Sequence, residues 1–216
     1  MFDYIFFDLD GTLTDPAQGI TNSFIHALKY FGREIPSYED LCKLIGPPLP
    51  YSFETILGFP KEKVMEAVAK YREYFSTKGL FENKVYDGIP ELLQKLNEQG
   101  KHLVVATSKP EEYSIKIIEH FGLSKYFDFV CGSNMDESRS KKEEVIAYAL
   151  QRCGLSESDK PRVLMIGDRL HDIEGAKKNG LKSCGVLFGY GSREELENAG
   201  ADYIVNEVID LYKVIE

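Results

Sequence analysis

The 216-residue chain predicts an α/β fold: a Rossmann-like, three-layer core of parallel strands and covering helices, with an α-helical cap domain inserted after the first strand. Three observations predict it. From about residue 102 onward, apolar runs of four to six residues alternate with segments of helical spacing, as in strands buried on both faces and joined by helices. The run Tyr4–Phe7 has the composition of a strand of the same sheet, yet the next strand candidate begins only at His102. The helical stretch between them is too long for a crossover and reads as a small domain of its own.

Taken in order, the elements are these. Tyr4–Phe7 is the first strand. Within the insert, Ile20, Phe24, Ala27, Leu28 and Phe31 share one helical face, and Val64, Val68, Tyr71 and Phe75 share another. Pro47-Pro48-Leu49-Pro50 separates the two helical parts. The expected domains are 1–16 with 82–216 for the core and 17–81 for the cap, with exits near Asp15-Pro16 and Asn83–Gly88. His102–Ala106 is the second strand, stopped by Thr107-Ser108 and followed by a helix carrying Ile115, Ile118, Phe121 and Leu123. Phe127–Cys131 is a strand, Val145–Leu150 lies in a helix beginning near Glu143, and Arg162–Ile166 is a buried strand stopped by Gly167-Asp168. A helix near Asp172–Asn179, a strand near Ser183–Leu187, a helix from Ser192 and a strand at Tyr203–Val205 complete the series.

In open parallel sheets, ligands bind beyond the carboxyl ends of the strands. Strand one delivers Asp8 and Asp10 there, the strand at 102–106 delivers Thr107 and Ser108, and the strand at 162–166 delivers Asp168 and then Asp172. One acidic strand end is commonly a cap or a turn, and Thr107 by itself also reads as a helix N-cap. Four carboxylates converging with no basic cluster to balance them require a cation, and hard oxygen ligands favour Mg²⁺. The stretch from Asp8 is not a calcium loop, because Leu13 stands where such a loop needs glycine and Gly19 where it needs glutamate.

Asp8-Leu9-Asp10-Gly11-Thr12-Leu13, Thr107-Ser108, a later lysine and Gly167-Asp168-Arg169-Leu170-His171-Asp172 resemble the four motifs of the haloacid dehalogenase superfamily. The insert resembles the helical cap of its subfamily I phosphatases, in the phosphoglycolate phosphatase-like and 5′-nucleotidase-like branch. The resemblance implies a phosphatase that forms an aspartyl-phosphate on Asp8, with Asp10 as general acid and base. It implies Thr107, Ser108 and Gly11 as substrate-binding residues, with the Thr107 hydroxyl and the Ser108 backbone as phosphoryl donors and Gly11 turning the chain out of the sheet. It also implies Mg²⁺ bound by Asp8, Asp168 and the carbonyl of Asp10, with Asp172 behind them. The third-motif lysine is Lys141 or Lys142, and the following V-I-x-Y-A-L stretch favours Lys142. Lys109 is expected to be exposed, and His171 to lie at the surface or behind the metal ligands. A phosphoglucomutase-type transferase is the nearest alternative, although Leu49 and Pro50 stand where such enzymes place a cap arginine. A signalling receiver is the alternative from another class, disfavoured by the insert and by the acid two residues after Asp8.

Composition sets the remaining limits. With 26 basic against 35 acidic residues, a net charge of −9 and no basic run, neither nucleic acid nor an anionic membrane is an expected partner. A small phosphorylated metabolite is the expected one. The four scattered cysteines read as reduced thiols rather than a disulfide or zinc set. No apolar run approaches the ~20 residues of a membrane helix. Without a basic and apolar leader at the N-terminus, a cytoplasmic monomer or weak homodimer is expected.

Overall fold

The computed structural model describes residues 1–136 and 138–216. The chain forms two compact units, Met1–Asp15 with Val85–Glu216, and Pro16–Lys84.

The strands of the chain are β1 (Tyr4–Phe7), β2 (Thr14–Asp15), β3 (Lys84–Val85), β4 (His102–Pro110), β5 (Phe129–Ser133), β6 (Val163–Gly167), β7 (Lys182–Val186) and β8 (Tyr203–Val205). Six of them make one sheet in the order β5-β4-β1-β6-β7-β8. Each neighbouring pair is parallel. This is the α/β architecture expected from the alternating apolar runs. β1 lies in the middle, with Phe7 paired to Val105 on one side and to Ile166 on the other. The chain runs from β1 to β4 and β5, then returns across β1 to continue with β6, so the strand order reverses around β1. Such a reversal opens a crevice at the strand ends.

The helices of the chain are α1 (Ala17–Tyr30), α2 (Tyr38–Cys42), α3 (Leu49–Tyr51), α4 (Lys61–Tyr74), α5 (Ile89–Glu98), α6 (Glu111–His120), α7 (Lys142–Arg152), α8 (Leu170–Lys178), α9 (Arg193–Ala199) and α10 (Leu211–Ile215). α5 to α10 belong to the first unit. Strand side chains alternate between faces. Phe6, Val104, Ala106, Cys131 and Met165 therefore pack on one side with Val145, Ile146 and Ala149 of α7 and Ala176 of α8. Their neighbours Ile5, Phe7, Leu103, Val105, Leu164 and Ile166 point the other way and are equally buried.

The second unit contains α1 to α4. Ile20, Phe24, Ala27 and Leu28 of α1 are buried, as are Val64, Val68 and Tyr71 of α4, so both helical stripes read from the sequence face a core. Phe24 sits at its centre, with ring centroids 5.2 Å from Phe53 and 4.9 Å from Tyr71.

Several boundaries differ from the sequence reading, most of all those of β4 and β5, while β6 is shifted by one residue to Val163–Gly167. β4 does not stop at Ala106 but continues to Pro110, because its register with β5 shifts: Ala106 pairs with Cys131 and Pro110 with Ser133. Four residues of β4 thus span what two residues of β5 span, which is a bulge. β5 begins at Phe129 rather than Phe127, because Ser124–Tyr126 forms a short 3₁₀ turn that leads the chain into it. All four cysteines are free thiols. Among the described residues, no helix is long and apolar enough to cross a membrane.

Phe6 is fully buried in the central strand. Phe6→Ala is expected to cost about 3–5 kcal/mol. In a chain of this length that lowers the thermal midpoint by roughly 10 °C, which calorimetry will show.

Candidate active site

The C-terminal ends of β1, β4 and β6 bring together the residues that the sequence singled out. Asp8 follows β1 directly, and its backbone N–H donates to the Ile166 carbonyl at 2.9 Å. Its carboxylate Oδ1 accepts from the Leu9 N–H at 2.7 Å, which fixes the side chain at the strand tip. Asp168 follows β6. Asp172, on the first turn of α8, turns back so that Oδ2 accepts from the Arg169 N–H at 3.1 Å, a capping bond at the helix N-terminus. The carboxylates of Asp8, Asp168 and Asp172 offer oxygens that all lie within 4.8 Å of one another, and all three residues are buried.

Lys142 is the cation of this cluster. It is the first residue of α7, its side chain is only 4% exposed, and its Nζ lies 2.8 Å from both Asp8 Oδ1 and Asp172 Oδ1. Its third hydrogen bond goes to the Ala106 carbonyl at 3.2 Å. Lys141, one position earlier, is exposed, and its backbone N–H donates to Glu144 at 3.4 Å. Helix phase separates the two: Lys142 falls on the face that also buries Val145, Ile146 and Ala149.

Three carboxylates against one ammonium leave two negative charges uncompensated when all are ionised. Burial first, and then the charges of Asp172 and Asp8, push the Asp168 carboxyl well above its ordinary range. Burial pushes Asp172 up to about 6 in spite of Lys142. For Lys142, burial pulls downward but the two carboxylates outweigh it, so the ammonium is held above its ordinary range. Asp168 Oδ2 accepts from the Tyr190 N–H at 2.8 Å. Among the described residues Asp168 Oδ1 is buried with no hydrogen-bond partner. A buried acceptor left open in an acidic, all-oxygen cluster fits a divalent cation.

Gly11 closes the other side. Its φ is +81°, and a Cβ there would run into the Asp168 carboxylate, with Oδ1 at 2.8 Å. Its N–H donates to the Thr14 carbonyl at 2.7 Å. Gly11 therefore contributes the turn and the space for Asp168, while its amide is already engaged within the loop.

Asp10 stands apart from the three clustered carboxylates. Its Oδ2 pairs with the Lys109 ammonium. Burial raises its carboxyl above the ordinary range against the pull of Lys109. This corrects the expectation of an exposed Lys109: its side chain is only 7% exposed, because the β4 bulge carries it inward. Thr107 is buried and Ser108 exposed. The alternative of Thr107 as an N-cap is also overturned. The helix begins later, at Glu111, and Thr107 lies within β4, where its Oγ1 accepts from the Lys109 N–H at 3.3 Å. His171 is exposed and does not belong to the carboxylate group.

Two contributors were missed in the sequence. Lys109 carried no readable signal, because the bulge that turns it inward exists only in the pairing of β4 with β5. Tyr190 carried none either, because it acts through a backbone N–H that almost any residue could supply.

Residues 5–186 match the family of haloacid dehalogenase-like hydrolases. The chain belongs to the haloacid dehalogenase-like hydrolase family. A 5′-nucleotidase of Pseudomonas aeruginosa is 44% identical over 212 residues, covering 98% of this chain and 95% of that protein. The tyrosine-protein kinase PtkA of Mycobacterium tuberculosis is 38% identical over 94% of this chain and 68% of its own length. Among solved structures, a predicted phosphatase from Clostridium acetobutylicum superimposes with a TM-score of 0.93 at 50% identity, covering 100% of this chain and 98% of that one. Family membership, with the relatives named as 5′-nucleotidase and phosphatase, makes the protein a hydrolase of the phosphatase type, and the cluster of Asp8, Asp168 and Asp172 lies within the matched region.

Removing the buried ammonium leaves carboxylates without their counter-charge. Lys142→Met is expected to lower stability by about 3 kcal/mol, whereas Lys141→Met stays within about 0.5 kcal/mol. Urea denaturation of the two variants in chelator separates them; equal midpoints would contradict the ion triad.

Proposed function

We propose that the protein is a Mg²⁺-dependent phosphomonoesterase that works through an aspartyl-phosphate on Asp8. The observation that carries this reading is the separation of two aspartates that lie one residue apart. Asp8 is clustered with Asp168, Asp172 and Lys142, while the Asp10 carboxylate is engaged elsewhere, with Lys109. One can stay ionised as a nucleophile while the other exchanges a proton.

Asp8 and Asp168, with the carbonyl of Asp10, would hold Mg²⁺, and Asp172 would support them. The bound ion supplies positive charge beside the phosphoryl oxygens. A carboxylate oxygen of Asp8 attacks phosphorus, the bond from phosphorus to the ester oxygen breaks, and Asp10 gives that oxygen its proton. Water then attacks the same phosphorus and loses a proton to Asp10. The bond to Asp8 breaks, inorganic phosphate leaves, and both aspartates return to their starting state. Lys142 balances charge on Asp8 throughout. The Thr107 hydroxyl and the Ser108 N–H donate to phosphoryl oxygens, most strongly as the transition state develops.

The substrate class we favour is a nucleoside 5′-monophosphate, on the strength of the relative named 5′-nucleotidase. The unit Pro16–Lys84 is proposed as the cap that selects it and excludes water during transfer. The relative named as a tyrosine kinase supports a second reading, in which the phosphoryl group passes from Asp8 to an acceptor hydroxyl rather than to water.

A phosphate-release screen over a metabolite panel with Mg²⁺ tests the proposal, with Asp8→Asn as the blank. Release at wild-type level by that variant would sink the mechanism, and transfer to an added acceptor without free phosphate would favour the second reading. The cation is tested separately. At 100 times its Kd, Mg²⁺ is expected to stabilise the wild type by roughly 2.7 kcal/mol, raising the thermal midpoint by several degrees. Asp168→Asn should abolish that shift while melting no lower than wild type in chelator, because it removes a crowded charge. A wild type indifferent to Mg²⁺ would exclude the assigned site.

A further inference from the structure

The reading above accounts for Asp8, Asp10, Thr107, Lys142 and the acidic cluster, and leaves one buried charge at the site without a task. Lys109 is the second ammonium there. Its side chain is 7% exposed, and it pairs with Asp10 Oδ2. The other oxygen of that carboxylate, Oδ1, is buried and among the described residues has no hydrogen-bond partner. One oxygen is anchored and the other is open.

The fold invests backbone structure in this arrangement. The β4 bulge places Thr107 and Lys109 beside the tip of β1. β5 buttresses it from behind at Gly132, where a Cβ would lie 2.6 Å from the Lys109 carbonyl oxygen and from the Glu111 backbone. The Gly132 N–H donates to Glu111 Oε2 at 3.1 Å, and the Arg139 guanidinium donates to the Gly132 carbonyl at 3.0 Å. Bulges commonly serve to re-aim a side chain next to a site.

Resting on the phosphatase reading, we propose that Lys109 is a positioning residue for Asp10: it holds Oδ2 so that Oδ1 faces the oxygen that leaves phosphorus. Lys109 touches neither phosphorus nor its oxygens in this role. It acts through Asp10, so its contribution scales with how much the leaving group needs a proton. An alkoxide needs one. The 4-nitrophenolate anion is stable without it.

The test measures kcat/KM for a nucleoside 5′-monophosphate and for 4-nitrophenyl phosphate in wild type, Lys109→Met, Lys109→Arg, Asp10→Asn and the double variant Asp10→Asn with Lys109→Met. Lys109→Met is expected to lose about 100-fold on the alkyl ester, within the range of general-acid effects, and less than about 3-fold on the aryl ester. Lys109→Arg should recover most of the loss. In the Asp10→Asn background Lys109→Met should add less than about 2-fold, as for two residues acting as one unit. Equal losses on both esters would instead mean direct phosphate binding or a distorted site, and would overturn the proposal, as would full additivity with Asp10→Asn. If Lys109→Met does not fold, the double variant, which removes both halves of the pair, and Lys109→Arg decide the question. A wild type that hydrolyses neither ester overturns the phosphatase reading and this role with it; an active wild type with unselective variants overturns this role alone.

Discussion

Everything at the site depends on one ammonium placed between two buried carboxylates. Lys142 Nζ lies 2.8 Å from Asp8 and 2.8 Å from Asp172, in a place almost without solvent. Buried ion groups of this kind add little net stability, since desolvation offsets most of the attraction. Their value lies in geometry: three elements, β1, α7 and α8, must meet at fixed positions for the charges to be satisfied at all. The sheet, the helix phases and the capping bond of Asp172 all serve that meeting. The third carboxylate, Asp168, is left in excess, and its open Oδ1 is what makes the group fit a divalent cation.

The sheet explains why these residues can be so far apart in sequence. β1 lies between β4 and β6, so its tip borders the ends of both, and the loops after all three strands open on the same edge. The polar residues stand just past runs that are buried on both faces, and the apolar runs hold them there. Gly11 and the Tyr190 N–H then constrain Asp168 from two further directions.

Much of this was legible in the sequence for a physical reason. Strands buried on both faces must be continuously apolar, so the first polar residue marks where the buried run ends: Asp8 and Asp168 just past β1 and β6, and Thr107 inside β4. The four-residue strand β1 and the helical stripes of α1 and α4 follow the same logic. What could not be read was anything that depends on a pairing partner. The β4 bulge exists only in relation to β5, so Thr107 was read as a possible helix cap and Lys109 as exposed, although the helix starts at Glu111 and the lysine turns inward. The choice between Lys141 and Lys142 was partly legible: the V-I-x-Y-A-L stretch favoured Lys142, and in the structure Lys142 shares the buried face with Val145, Ile146 and Ala149.

The central place of β1 also has a consequence in time. Tyr4 pairs with His102 and with Val163, so β1 is synthesised well before either of the strands that enclose it. At ~5–20 residues per second, on the order of ten seconds separates the synthesis of Asp8 from that of Asp168. Until β4 is made at His102–Pro110, Phe6 and Phe7 have no strand to pair with, while the whole of Pro16–Lys84 emerges with a core of its own. The order of synthesis thus sets a long wait for the N-terminal strand, and contacts this distant in sequence are slow to form in any case. The nascent chain must keep this apolar strand from other partners until first β4 and then β6 arrive, and only then can Asp8 meet Asp168.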